Sequence, residues 1–181
     1  TRHAKRIFKD ASIFCFDAFS PLETLYKQHN VNYNMCCLSN VDGLSVKFYQ
    51  NDMLFGGNSI FREKTEHFPE DNYIIKQTRT LDSIVNEKSI PYPDMIKIDA
   101  QGNELNILKG ATNVLKCCSY LILELPTIEY NEGAPQKDAV IEYLKTIGFV
   151  MFCEDFSKNI ADSDSCFVNV LRTNIINNSL N

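Results

Sequence analysis

The residues best able to do chemistry cluster in one short segment, Lys97-Ile98-Asp99-Ala100-Gln101-Gly102-Asn103-Glu104. An apolar run there stops at an acid and turns on a glycine into an amphipathic pattern. In an open α/β sheet, ligands sit at the carboxyl ends of strands, where helix N-termini also offer unpaired backbone N–H groups. A carboxylate at that point can accept from a ligand hydroxyl or take up a proton. A second acid, Glu124, closes the apolar run Ile122-Leu123-Glu124-Leu125. If its strand lies beside that of Asp99, Glu124 opens onto the same crevice and can orient or deprotonate an acceptor hydroxyl. Its other reading is a turn or capping role. Lys97 and Asp99, two apart on a strand, share one face, and Ile96 and Ile98 share the other. A lysine inside a central strand is costly unless its charge is paired or reaches water. Lys97 is therefore either neutralised for stability or organises the acidic groups, and the second reading is preferred because buried ion pairs contribute little to stability. Glu104, in the first turn of the helix, suits the helix dipole as readily as a ligand.

These residues need a sheet and helices to position them, and the order of elements supplies both. Strand signals cover Ser12 to Phe16, Val31 to Leu38, Leu44 to Tyr49, Tyr73 to Thr78, Met95 to Asp99 and Tyr120 to Leu125. Leu44 to Tyr49 reads as the second arm of a hairpin after the Asp42-Gly43 turn. Ser20-Pro21-Leu22-Glu23 reads as a capping box opening a helix to about Gln28. Leu81, Ile84 and Val85 predict a short helix. Leu105, Leu108, Thr112 and Leu115 predict one helix after the central strand, widened by Ile107, Ala111 and Val114. The run from Tyr120 to Leu125 is nearly free of polar residues, as where both faces are covered, and Pro126 stops it. Val140, Ile141, Leu144 and Ile147 give a further helix ended by Gly148. Phe149 to Cys153 and Cys166 to Leu171 close the pattern as an antiparallel pair. Asn51 to Pro69 is a polar loop whose Phe55-Gly56-Gly57-Asn58-Ser59 stretch is flexible enough to close over a ligand. The alternation points to an α/β fold in a single domain, 1–172, followed by a polar tail, 173–181.

The pattern of Thr80-Leu81-Asp82-Ser83-Ile84, IKIDAQGNELNILKGA from Ile96, ILEL from Ile122 and IEYLKTIGF from Ile141 resembles the FkbM-type methyltransferases. The resemblance runs from about Ile13 to Leu171, and the KIDAQGNE block is its most specific part. It implies a Rossmann-like class I methyltransferase sandwich, mainly parallel with a terminal antiparallel strand, and S-adenosylmethionine (SAM) as cofactor. It further implies that Asp17 accepts from the cofactor ribose and that Asn40 lies beside the adenine. Asp99 and Gly102 then belong to the cofactor site, and Asp99, Glu124 and Lys97 to catalysis. Glu104 and Tyr130 fall to the acceptor side, with Glu129 beside them. Plainer roles stand beside these: Asp17 as a turn or cap residue, Asn40 as the lead into the Asp42-Gly43 turn, Tyr130 as a packing aromatic. The family's glycine-rich loop after its first strand has no counterpart, and residues 1–9 resemble the helix that follows that loop. The first strand and its glycine loop are thus expected to be missing. An upstream segment or a partner chain would complete the sheet, or else the domain is catalytically silent and serves binding or assembly.

Composition narrows the partners. A net charge of −5 leaves no basic footprint for nucleic acid or an anionic membrane, and the acceptor is expected to be a small molecule or glycan. No apolar run reaches the length of about 20 residues that spans a bilayer. The seven cysteines form two vicinal pairs without CxxC spacing and read as reduced thiols of a cytoplasmic protein. The histidines, His3, His29 and His67, lack metal-ligand spacing, and no metal is expected.

Overall fold

The computed structural model describes residues 2–29, 31–155 and 162–172; the expected tail, 173–181, lies outside them. Helix α1 (Arg2–Ile7) leads to strand β1 (Phe14–Asp17), helix α2 (Glu23–Gln28), β2 (Asn32–Met35), β3 (Cys37–Leu38) and β4 (Ser45–Tyr49). Then follow β5 (Tyr73–Arg79), α3 (Leu81–Glu87), β6 (Met95–Ile98), α4 (Glu104–Lys109), α5 (Thr112–Cys117) and β7 (Tyr120–Pro126). Helix α6 (Lys137–Thr146) and strands β8 (Phe149–Asp155) and β9 (Asp162–Asn169) complete the described chain.

The α/β class is as expected, but the strands form three sheets rather than one mainly parallel sheet: a parallel pair β1-β2 and two mixed sheets, β3-β5-β4 and β6-β7-β9-β8. Pairs β1/β2, β3/β5 and β6/β7 are parallel, whereas β4/β5, β7/β9 and β8/β9 are antiparallel. The terminal antiparallel arrangement is therefore present. Strands β1 and β6 are outer strands of their own sheets, so β6 is not a central strand. The stretch read as one strand from Val31 to Leu38 splits at Cys36, whose N–H donates to the Asp17 carbonyl at 2.7 Å. The expected hairpin does not form either. Gly43 turns with a φ of +76°, but β5 inserts between β3 and β4, so a distant strand takes the pairing that a local turn suggested.

The core explains which surfaces face the site. On β7, Leu121, Leu123 and Leu125 are fully buried against Leu108, Val114, Leu144, Phe149 and Phe167, while Ile122, Glu124 and Pro126 on the opposite face are only half-buried. The strand is thus covered on one face more than the other, contrary to its apolar sequence. The helix predicted after β6 is two helices. A side chain at Gly110 would bring a Cβ to 2.1 Å from the Ser39 carbonyl oxygen, so the backbone passes too close there for a continuous helix face. The second helix is capped by Asp82, which accepts from the N–H groups of Asn113 and Val114 and from the Thr112 hydroxyl. Thr80 caps α3 by accepting from the Ser83 N–H. The Asp of the TLDSI segment therefore joins two helices. Ser20, in contrast, caps nothing: Ser20–Leu22 is a 3-10 turn, and the Phe19 N–H donates to Asp17 Oδ1 instead.

Candidate active site

Strand register brings the two acids together. In the parallel β6/β7 pair Lys97 faces Ile122 and Ile98 faces Leu123, so one step further Asp99 comes beside Glu124. Gln101 spans the two carboxyl groups: its Nε2 donates to Asp99 Oδ1 at 3.0 Å and lies 3.4 Å from Glu124 Oε2. The hydrogen bond to Asp99, then burial, then repulsion from Asp99 and Asp162 push the Glu124 carboxyl up to about 8. The Glu124 carboxyl consequently keeps its proton near neutrality and loses it only toward about 8.

The turn that carries Asp99 is held from behind. Gln101 and Gly102 have φ of +52° and +95°, a left-handed pair that reverses the chain between β6 and α4. Glu104, 1% exposed, folds back so that its Oε1 accepts from the Ala100 N–H at 2.8 Å and the Gly102 N–H at 3.3 Å. Burial raises its pKa and these donors pull it back. It lines neither cavity of the site and clamps the turn, so the acceptor-side role expected of Glu104 is not where the structure puts it. Ser59, buried, ties the polar loop to the same turn: its hydroxyl lies 3.1 Å from the Ala100 carbonyl and 2.8 Å from that of Gln101.

Two cavities meet at this turn. The first, about 270 Å³, is lined by Asp17, Phe19, Cys36 to Leu38, Phe55, Asn58 and Asp99 to Gln101, among others. The second, about 460 Å³, is lined by Leu54, Glu63, His67, Gly102, Glu124, Tyr130, Asn131 and Asp162, among others. Gly56 and Gln101 border both. Asp99 thus faces the first cavity and Glu124 the second, on either side of one shared wall.

The remaining expected residues separate. Asp17 lines the first cavity but also caps: Oδ1 accepts from Phe19 N–H and Oδ2 from the Tyr26 hydroxyl, each at 2.8 Å. Each oxygen keeps a lone pair for a ligand hydroxyl. Asn40 is exposed and lines neither cavity; it sits at the start of the turn, where the chain passes against Gly110. Gly102 belongs to the second cavity, not the first, and a Cβ there would come within 2.6 Å of that of Ala134. Lys97 shares the face of the two acids but takes its ion pair elsewhere. Its side chain is 43% exposed and pairs with Asp164 on β9 at 3.0 Å, a partner brought by an antiparallel strand and invisible from its own segment. Its charge still pulls Glu124 down slightly. Tyr130 lines the second cavity and donates to Glu63 Oε1 at 3.1 Å.

Sequence reasoning missed the loop residues. Glu63, 7% exposed, also accepts from Thr65, and it borders the second cavity. Asn58 borders the first; its Oδ1 accepts from the Asn51 N–H at 2.7 Å, while its buried Nδ2 has no hydrogen-bond partner. The one signal for these residues was their place in the Gly-rich loop, which names a region but no side chain.

The first cavity has aromatic and aliphatic walls, the Asp17 carboxylate and, at its edge, the buried Asn58 amide nitrogen. Among the described residues no helix is long and apolar enough to cross a membrane, and no group of three or more His, Cys, Asp and Glu is arranged to hold a metal. The family model for the methyltransferase FkbM domain matches residues 15–151. A hexuronic acid methyltransferase, AglP, of Haloferax volcanii is 30% identical over 74 residues, which cover 41% of this chain and 31% of the relative. The chain thus aligns with about a third of that relative's length. No solved structure matches the chain.

Proposed function

The chain belongs to the FkbM methyltransferase family, and from that premise we propose that it is a SAM-dependent O-methyltransferase acting on a hydroxyl of a small molecule, sugar or glycan. The observation that carries the reading is the Asp99–Glu124 pair, set side by side by the β6/β7 register and spanned by Gln101, on the wall between two cavities. In a Rossmann-like methyltransferase arrangement the first cavity takes the cofactor, with Asp17 accepting from the ribose hydroxyls. The cofactor, when bound, supplies a methyl group activated by a positive sulfonium. The protein's part is alignment and proton handling. Asp99 faces the donor cavity with negative charge. Glu124, on the acceptor side, takes in its ionised form the proton of the acceptor hydroxyl as the hydroxyl oxygen bonds to the methyl carbon and the methyl–sulfur bond breaks, so turnover rises with pH toward about 8.

The relative named for a hexuronic acid suggests a sugar acceptor. The second cavity of this chain carries Glu63, Glu124 and Asp162, and among the described residues no lysine or arginine lines it. Such a wall accepts from neutral hydroxyls and repels a sugar carboxylate, so a neutral sugar suits this chain better. Reduced cysteines, with Cys36, Cys37 and Cys118 buried or half-buried as free thiols, suit a cytoplasmic location.

A second reading, a domain that binds without turnover, draws on the separate β1-β2 and β6-β7-β9-β8 sheets. Strands β1 and β6 each end their sheet, so on this reading a strand from a partner chain would pair with one of them. Calorimetry with SAM, followed by methyl transfer to a panel of neutral glycosides, separates the readings. Binding with transfer supports the enzyme, binding without transfer the silent domain, and no binding of SAM or S-adenosylhomocysteine contradicts the cofactor site.

A further inference from the structure

At the border of the first cavity one buried donor has no partner among the described residues. The Asn51 N–H, 2.7 Å from Asn58 Oδ1, fixes which way the Asn58 amide points, because a backbone donor must meet the carbonyl oxygen. The other end, Nδ2, is then the buried atom left without a partner. Buried donors are nearly always satisfied, and one that is not calls for a water, an ion or a ligand. Asn58 borders the first cavity together with Phe19 and Phe55, whose rings are stacked 6.4 Å apart and within 10° of parallel. The loop that carries it is braced on both sides, by Asn51 against the His67 carbonyl and by Ser59 against the turn of Asp99. The amide is therefore held in place before any ligand arrives.

We propose that Asn58 is a cofactor-binding residue whose Nδ2 donates to an acceptor atom on the adenosyl part of SAM. The adenosyl part is favoured over the methionine part because Asn58 shares its cavity with Asp17, Cys36 to Leu38 and the aromatic walls. The proposal rests on the reading of the first cavity as a cofactor site.

The test uses the full chain and three probes: S-adenosylhomocysteine, adenosine and methionine. In Asn58→Asp the side chain keeps an oxygen for the Asn51 N–H but presents an acceptor where the donor was. Affinity for S-adenosylhomocysteine and for adenosine should fall by about tenfold or more, by similar factors, with thermal stability in the absence of ligand recorded beside it. As a measurement on the native chain, the Asn58 side-chain amide resonances should shift on addition of either adenosyl probe and stay put with methionine. Unchanged affinity in Asn58→Asp overturns the proposal and leaves the cavity reading intact. So do amide resonances that stay still while backbone signals around Asp17 move, which would leave Asn58 to a resident water. If neither adenosyl probe binds the native chain, the cofactor reading falls and the proposal falls with it.

Discussion

Two regions of unlike build meet at the active-site wall. Around β6-β7-β9-β8 and helices α4 to α6 the packing is dense: Leu108, Val114, Leu121, Leu123, Leu125 and Leu144 are each 0% exposed. Around β1 and β2 it is sparse. No residue of β1 or α2 is buried, and that region is tied by polar contacts, such as Asp17 to Tyr26 and Tyr33 to Glu23. Asp99 and Glu124 are mounted on the dense region, whereas Asp17 stands on the sparse one and the aromatic wall of the first cavity rests on a small second core of Phe19, Cys37 and Phe48. On the proposed function the difference is a division of labour: reacting groups need fixed geometry, which close packing gives, and the end of the first cavity at Asp17 can finish ordering when a ligand binds.

The comparison breaks most sharply at the acids. Glu124→Gln should lower turnover by about 10²–10⁴-fold, as for a lost general base, with SAM affinity near its native value. Kinetics beside calorimetry check it, and unchanged turnover would remove Glu124 from catalysis. Next in size, Leu123→Ala should cost about 2–5 kcal/mol of stability, a cavity in a region with no slack. Phe14→Ala, in half-buried β1 and outside the main core, should cost no more than about 2 kcal/mol. Equal losses in urea unfolding would mean that the two regions are not packed differently. Asp17→Asn should weaken SAM binding by about 1.5–3 kcal/mol, the worth of a hydrogen bond to a charged group, and leave the dense region's stability alone.

A smaller effect follows from pH. The unfolded chain releases the Glu124 proton near the ordinary 4.5, while the folded chain keeps it until about 8. Between those values the folded state binds more protons, so its stability should fall as pH rises across that window. Asp99→Asn should flatten the fall, since it removes the charge that chiefly raises Glu124. It should leave Lys97 content, because its partner is Asp164.

What could be read from the residues alone divides along the same line. The strand ends at Asp99 and Glu124, the glycine turn and the helix after Gln136 follow from period-2 and period-3.6 patterns, which are local. The failures involve contacts between distant segments. Ser45–Tyr49 looked like a hairpin arm until Tyr73–Arg79 took its edge. Lys97 found Asp164 across 67 residues, and Gly110 broke a helix because Ser39 crosses it. Ser20 had the right type for a cap but lost the role to Asp17, whose carboxylate reaches the Phe19 N–H. In the site, Glu63 and Asn58 lay hidden in a loop, where no period tells one polar side chain from the next.

The account turns on the proton that Glu124 keeps beside Asp99. A carbon-13 NMR titration of the Glu124 side-chain carboxyl reads it directly. It should show an inflection far above the ordinary carboxylate range, near 8, that moves down in Asp99→Asn. An inflection near 4.5, or one that Asp99→Asn leaves in place, would contradict the retained proton and the acid pair built on it.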